Sequence, residues 1–238
     1  GGGGSSGIVS TGTGNTAIGS SALNAVQSGA EKNTAFGFQA GKSINTGDEN
    51  ITIGYQAGQA LTTARRNIAI GNNALNTLDN YVYNETDNVA IGHESLCSLA
   101  EQANGFVATD NVCVGNRTGY AITTGYDNTL IGNSVGSAIN SGIFNTLVGS
   151  AAIQGLTTGE RNVAVGYFCG GSSNKSNITT VGEASLYVNS GSDNTAVGRY
   201  AGGQNSSGTN NLYLGKDAGT TGSPGGAQTT GSNEIFLG

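Results

Sequence analysis

Fifteen acidic side chains, one histidine and three cysteines are the residues of this sequence best equipped for chemistry. Two carboxylates can cleave a glycosidic bond when a fold holds them at a fixed separation. Here the acids fall mainly beside turn residues, at Asp48 and Glu49, Asp87, Asp110, Asp127, Glu160 and Asp193. That placement reads as solvated surface. His93 follows Gly92 directly and is expected at the surface rather than as a general base. Cys97, Cys113 and Cys169 are odd in number, so they cannot all pair within the chain. No Cys-x-x-Cys occurs, and a single histidine adds little, so a zinc site is not expected. The thiols read instead as small buried hydrophobes. No Gly-x-Ser-x-Gly elbow, Walker loop or calcium-binding glycine-rich nonapeptide appears. No catalytic residue, metal ligand or cofactor is assigned, and the chain is expected not to be an enzyme.

The elements that would position such residues are unusual. Of 238 residues, 42 are glycine and 1 is proline, with no Met or Trp. Charged residues make up 10%, against about 25% in a typical globular domain. No strict Gly-X-Y period marks a collagen, and the charge is too low for charge-driven disorder. The net charge is −6, and among nine basic residues only Arg65 and Arg66 are adjacent. Nucleic-acid binding, which needs clustered cations to neutralise phosphates, is not expected. No apolar run approaches the roughly 20 residues that span a bilayer, so membrane insertion is not expected either. No signal peptide is read, and the lack of Met points to a fragment or processed chain. Residues 1–7 (GGGGSSG) read as a flexible segment ahead of the folded part, 8–238.

A unit of the form Asn-x-x-(Ile/Val)-Gly recurs along the chain, as in NTAIG, NTAFG, NITIG, NIAIG, NVAIG and NTLVG. Its closing glycines are Gly19, Gly37, Gly54, Gly71, Gly92, Gly115, Gly132, Gly149, Gly166, Gly182, Gly198, Gly215 and Gly238. Nine of the twelve intervals between them are 16–18 residues, so each unit is one coil of nearly fixed length. That is too short for a helical hairpin repeat. Two short strands and two turns would fit, and Ile, Val, Thr and Phe before each glycine favour strands. Asn-Ser-Gly and Thr-Thr-Gly mark turns. The expected fold is an all-β parallel β-solenoid, or β-roll, of about 13 coils with repeats of about 17 residues. Longer coils fall at 75–88, 93–111 and 216–233.

Stacking the coils aligns four apolar columns. One residue before the glycine stands a large apolar side chain in every coil (Ile18, Phe36, Ile53 through Leu237), which reads as core. Two before it the residues are mostly small (Ala17, Ala35, Thr52, Ala69, Ala90). Three after it they are small again, and seven after it come Val26, Ile44, Leu61, Leu78, Leu99, Ile122, Ile139 and Leu156. That last column fails at Ser173, Asn189, Asn205 and Gly222. Adjacent strand residues face opposite ways, yet both columns before the glycine are apolar, so the strand is expected to be covered on both sides. One thin solenoid cannot do that alone. Several copies packed side by side are expected, with the small column or its neighbour at their shared axis; a globular cap over that face is the alternative cover.

The leading asparagines, Asn15, Asn33, Asn50, Asn67, Asn88, Asn111, Asn128, Asn145, Asn162, Asn194 and Asn211, are expected to stack as a structural amide ladder. Strands about 4.8 Å apart would give a rod on the order of 60 Å. Insertions in solenoids often form the binding face, which makes Tyr81 and Tyr83 in the first long coil the candidate receptor contact.

The segments NTAFGFQAG (33–41), NITIGYQAG (50–58), NIAIGNNAL (67–75) and NTAVGRYAG (194–202), with the closing GSNEIFLG (231–238), resemble the repeats of phage tail-fibre and tail-spike proteins. They are also similar to the β-roll head of trimeric autotransporter adhesins. The resemblance covers roughly residues 8–238. It implies a homotrimeric left-handed parallel β-roll on a virion or cell surface. The expected function is the structural shaft of a viral tail fibre that attaches to a host-surface glycan or protein. A bacterial surface adhesin or extracellular filament subunit is the alternative. Coils near 17 residues are longer than the adhesin repeats, and neither a chaperone domain nor a coiled-coil stalk is read. An ice-binding solenoid would need threonine at alternate strand positions in every coil, and only some coils carry it (Thr16, Thr34, Thr129, Thr146, Thr195).

Overall fold

The computed structural model describes residues 13–27, 29–76, 86–99, 108–171, 174–223, 226 and 229–238. Among these the regular secondary structure is all strand, one strand for each Asn-x-x-(Ile/Val)-Gly unit. The chain divides into two compact units, Gly1–Asp127 and Asn128–Gly238. The first holds β1 (Thr16–Ile18), β2 (Thr34–Phe36), β3 (Ile51–Ile53), β4 (Ile68–Ile70), β5 (Val89–Ile91) and β6 (Val112–Val114). The second holds β7 (Thr129–Asn133), β8 (Thr146–Ser150), β9 (Val163–Tyr167), β10 (Thr179–Val181), β11 (Thr195–Val197), β12 (Leu212–Leu214) and β13 (Ile235–Leu237).

Within each unit consecutive strands pair in parallel, one repeat apart. Ala17 lies opposite Ala35, Ala35 opposite Thr52, and Leu147 opposite Ala164. Each coil contributes one strand rather than the two that the repeat length suggested. The rest of the coil turns by left-handed residues. In the third coil Glu49, Gln56 and Gly58 have φ of 59°, 52° and 56°. Three such corners close the path in few residues and leave a narrow interior.

That narrowness reverses one expectation. The column immediately before the glycine is not the core. Its side chains point away from the coil interior, and Ile18 and Phe36 are each 55% exposed. The small column two before the glycine points inward and is buried: Ala17, Ala35, Thr52, Ala69, Ala90 and Cys113 in the first unit. The second unit buries Leu130, Leu147, Ala164, Thr180, Ala196 and Tyr213 there. In most coils the inward residue is small and faces a wall of bulkier side chains; Leu130, Leu147 and Tyr213 are the large exceptions. That wall carries Ile44, Leu61, Ile122, Ile139 and Leu156, all fully buried. Each such side chain contributes roughly 1.5–3 kcal/mol.

The closing glycine is required by the stack itself. At Gly54 φ is 130°, and a Cβ there would lie 2.5 Å from the carbonyl oxygen of Gly71 in the next coil. Gly71, Gly92 and Gly182 are equally left-handed, at 131–135°. Core volume is shared between turn positions. Gly202 and Gly219 leave the space that the Tyr213 ring occupies, since a Cβ at Gly202 would lie 2.8 Å from that ring.

Candidate functional surfaces

The asparagines form a hydrogen-bonded column in each unit, unbroken from Asn15 to Asn111 in the first and interrupted at Ile178 in the second. The Asn33 side-chain oxygen accepts from the Asn50 backbone N–H at 3.0 Å and from its Nδ2 at 3.1 Å. The Asn50 oxygen accepts both donors of Asn67 at 3.0 Å. The remaining amide proton of most rungs goes to a carbonyl later in its own coil, Asn50 to Ala64 at 2.8 Å and Asn145 to Gly159 at 3.0 Å, whereas Asn67 donates to the Arg65 carbonyl at 3.1 Å. Asn33, Asn50, Asn67, Asn88 and Asn111 are buried in the first unit, and Asn128, Asn145, Asn162, Asn194 and Asn211 in the second. Asn15 is half-buried and donates to Ala30 at 2.7 Å. Two repeats adapt the column. Thr86 donates its hydroxyl to the Asn67 oxygen at 2.8 Å, where the second rung donor would otherwise sit. In the tenth repeat Ile178 replaces asparagine, and only its backbone N–H reaches the Asn162 oxygen, at 3.2 Å.

The loss at Ile178 is offset across the coil. The column seven after the glycine, apolar in earlier repeats, becomes Asn189 and Asn205, both buried. Asn205 Nδ2 donates to Asn189 Oδ1 at 3.2 Å, and Asn194 Nδ2 to the same oxygen at 3.3 Å. Lys175, 2% exposed, donates its amine to the Asn189 carbonyl at 2.6 Å. Burial pulls that amine down to about 8. One apolar residue thus enters the asparagine column at Ile178, while the apolar column across the coil turns polar at Asn189 and Asn205.

The acidic residues do not converge on a point. In the first unit they pair with cations from coil to coil along the turn before each rung. Lys32 meets Glu49 at 2.8 Å, Arg65 meets Asp48 at 3.2 Å, and Arg66 clasps Asp87 at 2.5 and 2.8 Å. The Arg66 hydrogen bond holds the Asp87 carboxyl below the usual carboxylate range. Asp110, Asp127 and Asp193 are exposed, while Glu160 is half-buried and pairs with Arg161 at 2.8 Å. His93 is exposed and near Asn116 at 3.4 Å. Cys113 and Cys169 are buried among apolar columns and Cys97 is half-buried; no disulfide joins them. Burial pushes the Cys169 thiol up to about 11 and raises Cys97 and Cys113 as well, which opposes thiolate chemistry. Among the described residues no three His, Cys, Asp or Glu side chains gather as a metal site.

Tyr81 and Tyr83 lie outside the described residues, as do the rest of 77–85, 100–107, 224–225 and 227–228 in the longer coils. Two kinds of exposed surface are described. One is the outer face of the strands in each unit. Ile18, Phe36, Ile51, Val163, Val165, Val181 and Val197 all lie on it and are more than a third exposed. The other is aromatic and belongs to the second unit. Phe168, Tyr187 and Tyr200, with Tyr167, line a depression of about 220 Å³ over Ala184 and beside Glu183. Sequence reading missed it because these rings come from separate coils; the signal is Tyr167 and Phe168 standing where the preceding repeat has Ser150 and Ala151. A polar depression of about 510 Å³ in the first unit lies among Asn73, Asn76, Glu94, Cys97 and Tyr120.

The fold and these surfaces define a parallel β-solenoid with a closed interior and a partly exposed apolar strand face. No family model matches the chain, and no curated protein or solved structure matches it either.

Proposed function

We propose that this chain is a shaft segment of a homotrimeric viral tail fibre that takes part in attachment to a host cell surface. The observation that carries this is the outer strand face. In each unit at least one strand residue flanking the buried middle position is Ile, Val, Leu or Phe, and this repeats coil after coil. Soluble monomers rarely leave contiguous apolar patches larger than a few hundred Å² uncovered. The interior, by contrast, needs nothing more: its strand middles, turn leucines and asparagine rungs are already packed and bonded. A face that is apolar in every repeat is best covered by an equally periodic partner, and another copy of the chain has the same period. The tail-fibre resemblance of the repeats supports three copies and a place on the virion or at a cell surface.

Charge on that face tests the proposal. Ile53→Lys and Ile70→Lys together should leave the far-ultraviolet circular dichroism of the chain intact while reducing its mass in solution to that of one copy. An unchanged mass in the double variant would remove the outer face from the assembly.

A further inference from the structure

We propose that the aromatic depression of the second unit binds one neutral pyranose ring, as the end or a branch of a surface glycan. The inference rests on the attachment role proposed above and names its ligand class and place. The rings there are arranged as walls. Tyr167 meets Phe168 edge-on, with centroids 4.6 Å apart and planes at 88°. Phe168 meets Tyr187 at 6.4 Å and 78°. Perpendicular rings leave faces open, whereas Phe38 and Tyr55 in the first unit are stacked at 5.6 Å and 12° and cover each other. Tyr187 is 49% exposed, and small Ala184 forms the floor.

A pyranose offers the chemistry that such walls accept. Its axial C–H bonds form a weakly positive apolar patch, which the negative face of an aromatic ring attracts. Its hydroxyls then need partners at the rim. Glu183 supplies acceptor oxygens and is held by Arg199 at 3.0 Å. The Arg199 guanidinium lies 4.6 Å from the Tyr200 ring centroid, so its remaining donors stand at the same edge. The tyrosine hydroxyls donate and accept. The paired charges cancel, which favours a neutral sugar over an acidic one. About 220 Å³ lies below the range of roughly 300–1,000 Å³ that takes drug-sized ligands, and fits a single ring.

The site is also local. The positions of Tyr167 and Phe168 are Ser150 and Ala151 one repeat earlier and Glu183 and Ala184 one repeat later. A contact between copies along a periodic face would recur in each repeat; this cluster does not.

Saturation-transfer NMR on the full chain, using the methyl glycosides of galactose, glucose and N-acetylglucosamine as probes, tests the site. At least one sugar should receive saturation at its ring C–H protons from the aromatic resonances. Tyr187→Ala and, independently, Tyr200→Ala should weaken binding about tenfold. Tyr55→Ala in the first unit should leave it unchanged. Each variant is compared at the solution mass and thermal transition of the parent, so loss of the sugar is separated from loss of the fold or assembly. No transfer from any of the three sugars, or transfer that survives both Tyr187→Ala and Tyr200→Ala, would overturn the assignment whatever the mass of the chain proves to be.

Discussion

Replacing Gly54 with alanine asks whether the glycine column spaces the coils. At this residue φ is 130°, a conformation that an L side chain adopts at a cost of roughly 1–3 kcal/mol. The added Cβ would stand 2.5 Å from the Gly71 oxygen and 2.8 Å from its carbon. Those atoms are backbone and have no rotamer to escape into. The coils must separate locally, straining the ladder bonds from Gly54 N–H to Phe36 and from Gly71 N–H to Ile53, both 2.8 Å long. Each such bond is worth roughly 0.5–1.5 kcal/mol net. The sum is a destabilisation of about 2–6 kcal/mol. Gly222 is the control: a Cβ there meets nothing within 4 Å, so Gly222→Ala should stay within about 0.5 kcal/mol of the parent. Urea unfolding followed by circular dichroism reads both variants. Equal protein concentration is needed because the proposed assembly would couple stability to concentration. If Gly54→Ala unfolds within about 1 kcal/mol of the parent, the close approach of glycine backbones does not set the coil spacing.

Three further outcomes follow from the interior. Asn50→Ala should cost about 2–5 kcal/mol in the same assay, because it leaves the Asn67 backbone N–H and the Ala64 carbonyl without the rung that bonds them; a loss below about 1 kcal/mol would show the ladder to be incidental. Lys175→Met should stabilise the chain at pH 7. Burial lowers the folded-state amine from 10.5 to about 8, so the unfolded chain binds more protons between those values. The penalty, roughly 3 kcal/mol, is present below pH 8 and fades as pH rises towards 10.5. The advantage of the Met variant should therefore shrink between pH 7 and pH 10, and an advantage constant with pH would refute the assignment. Thiol labelling of the native chain should leave Cys113 and Cys169 unmodified until denaturant is added, with Cys97 reacting slowly; rapid labelling of Cys113 would place it outside the core.

The fold was legible because the repeat is nearly fixed in length. Asparagine, strand triplet and glycine return at 16–18 residues, so the strand positions and the stacked rungs can be read directly. Which face points inward could not be read by size alone. Ile18 and Ala17 are both apolar, and the choice depends on how tightly the coil closes. That depends on left-handed corners at residues such as Leu23, Leu75 and Ile153, with φ of 45°, 48° and 41°. Bulky and β-branched residues seldom adopt that conformation, so their sequence gives no warning of it. The failure of the Ile/Leu column at Asn189 and Asn205 was visible, but its pairing with the missing rung at Ile178 appears only when the coil brings both columns together. The aromatic depression was hidden for the same reason, since Phe168, Tyr187 and Tyr200 come from three successive coils.

The central claim is that the outer strand face is covered by further copies of the chain. The mass of the purified protein in solution, by light scattering, tests it most directly. The account predicts the mass of three chains, stable on dilution. A stable single chain, with its apolar strand face open to water, would contradict it.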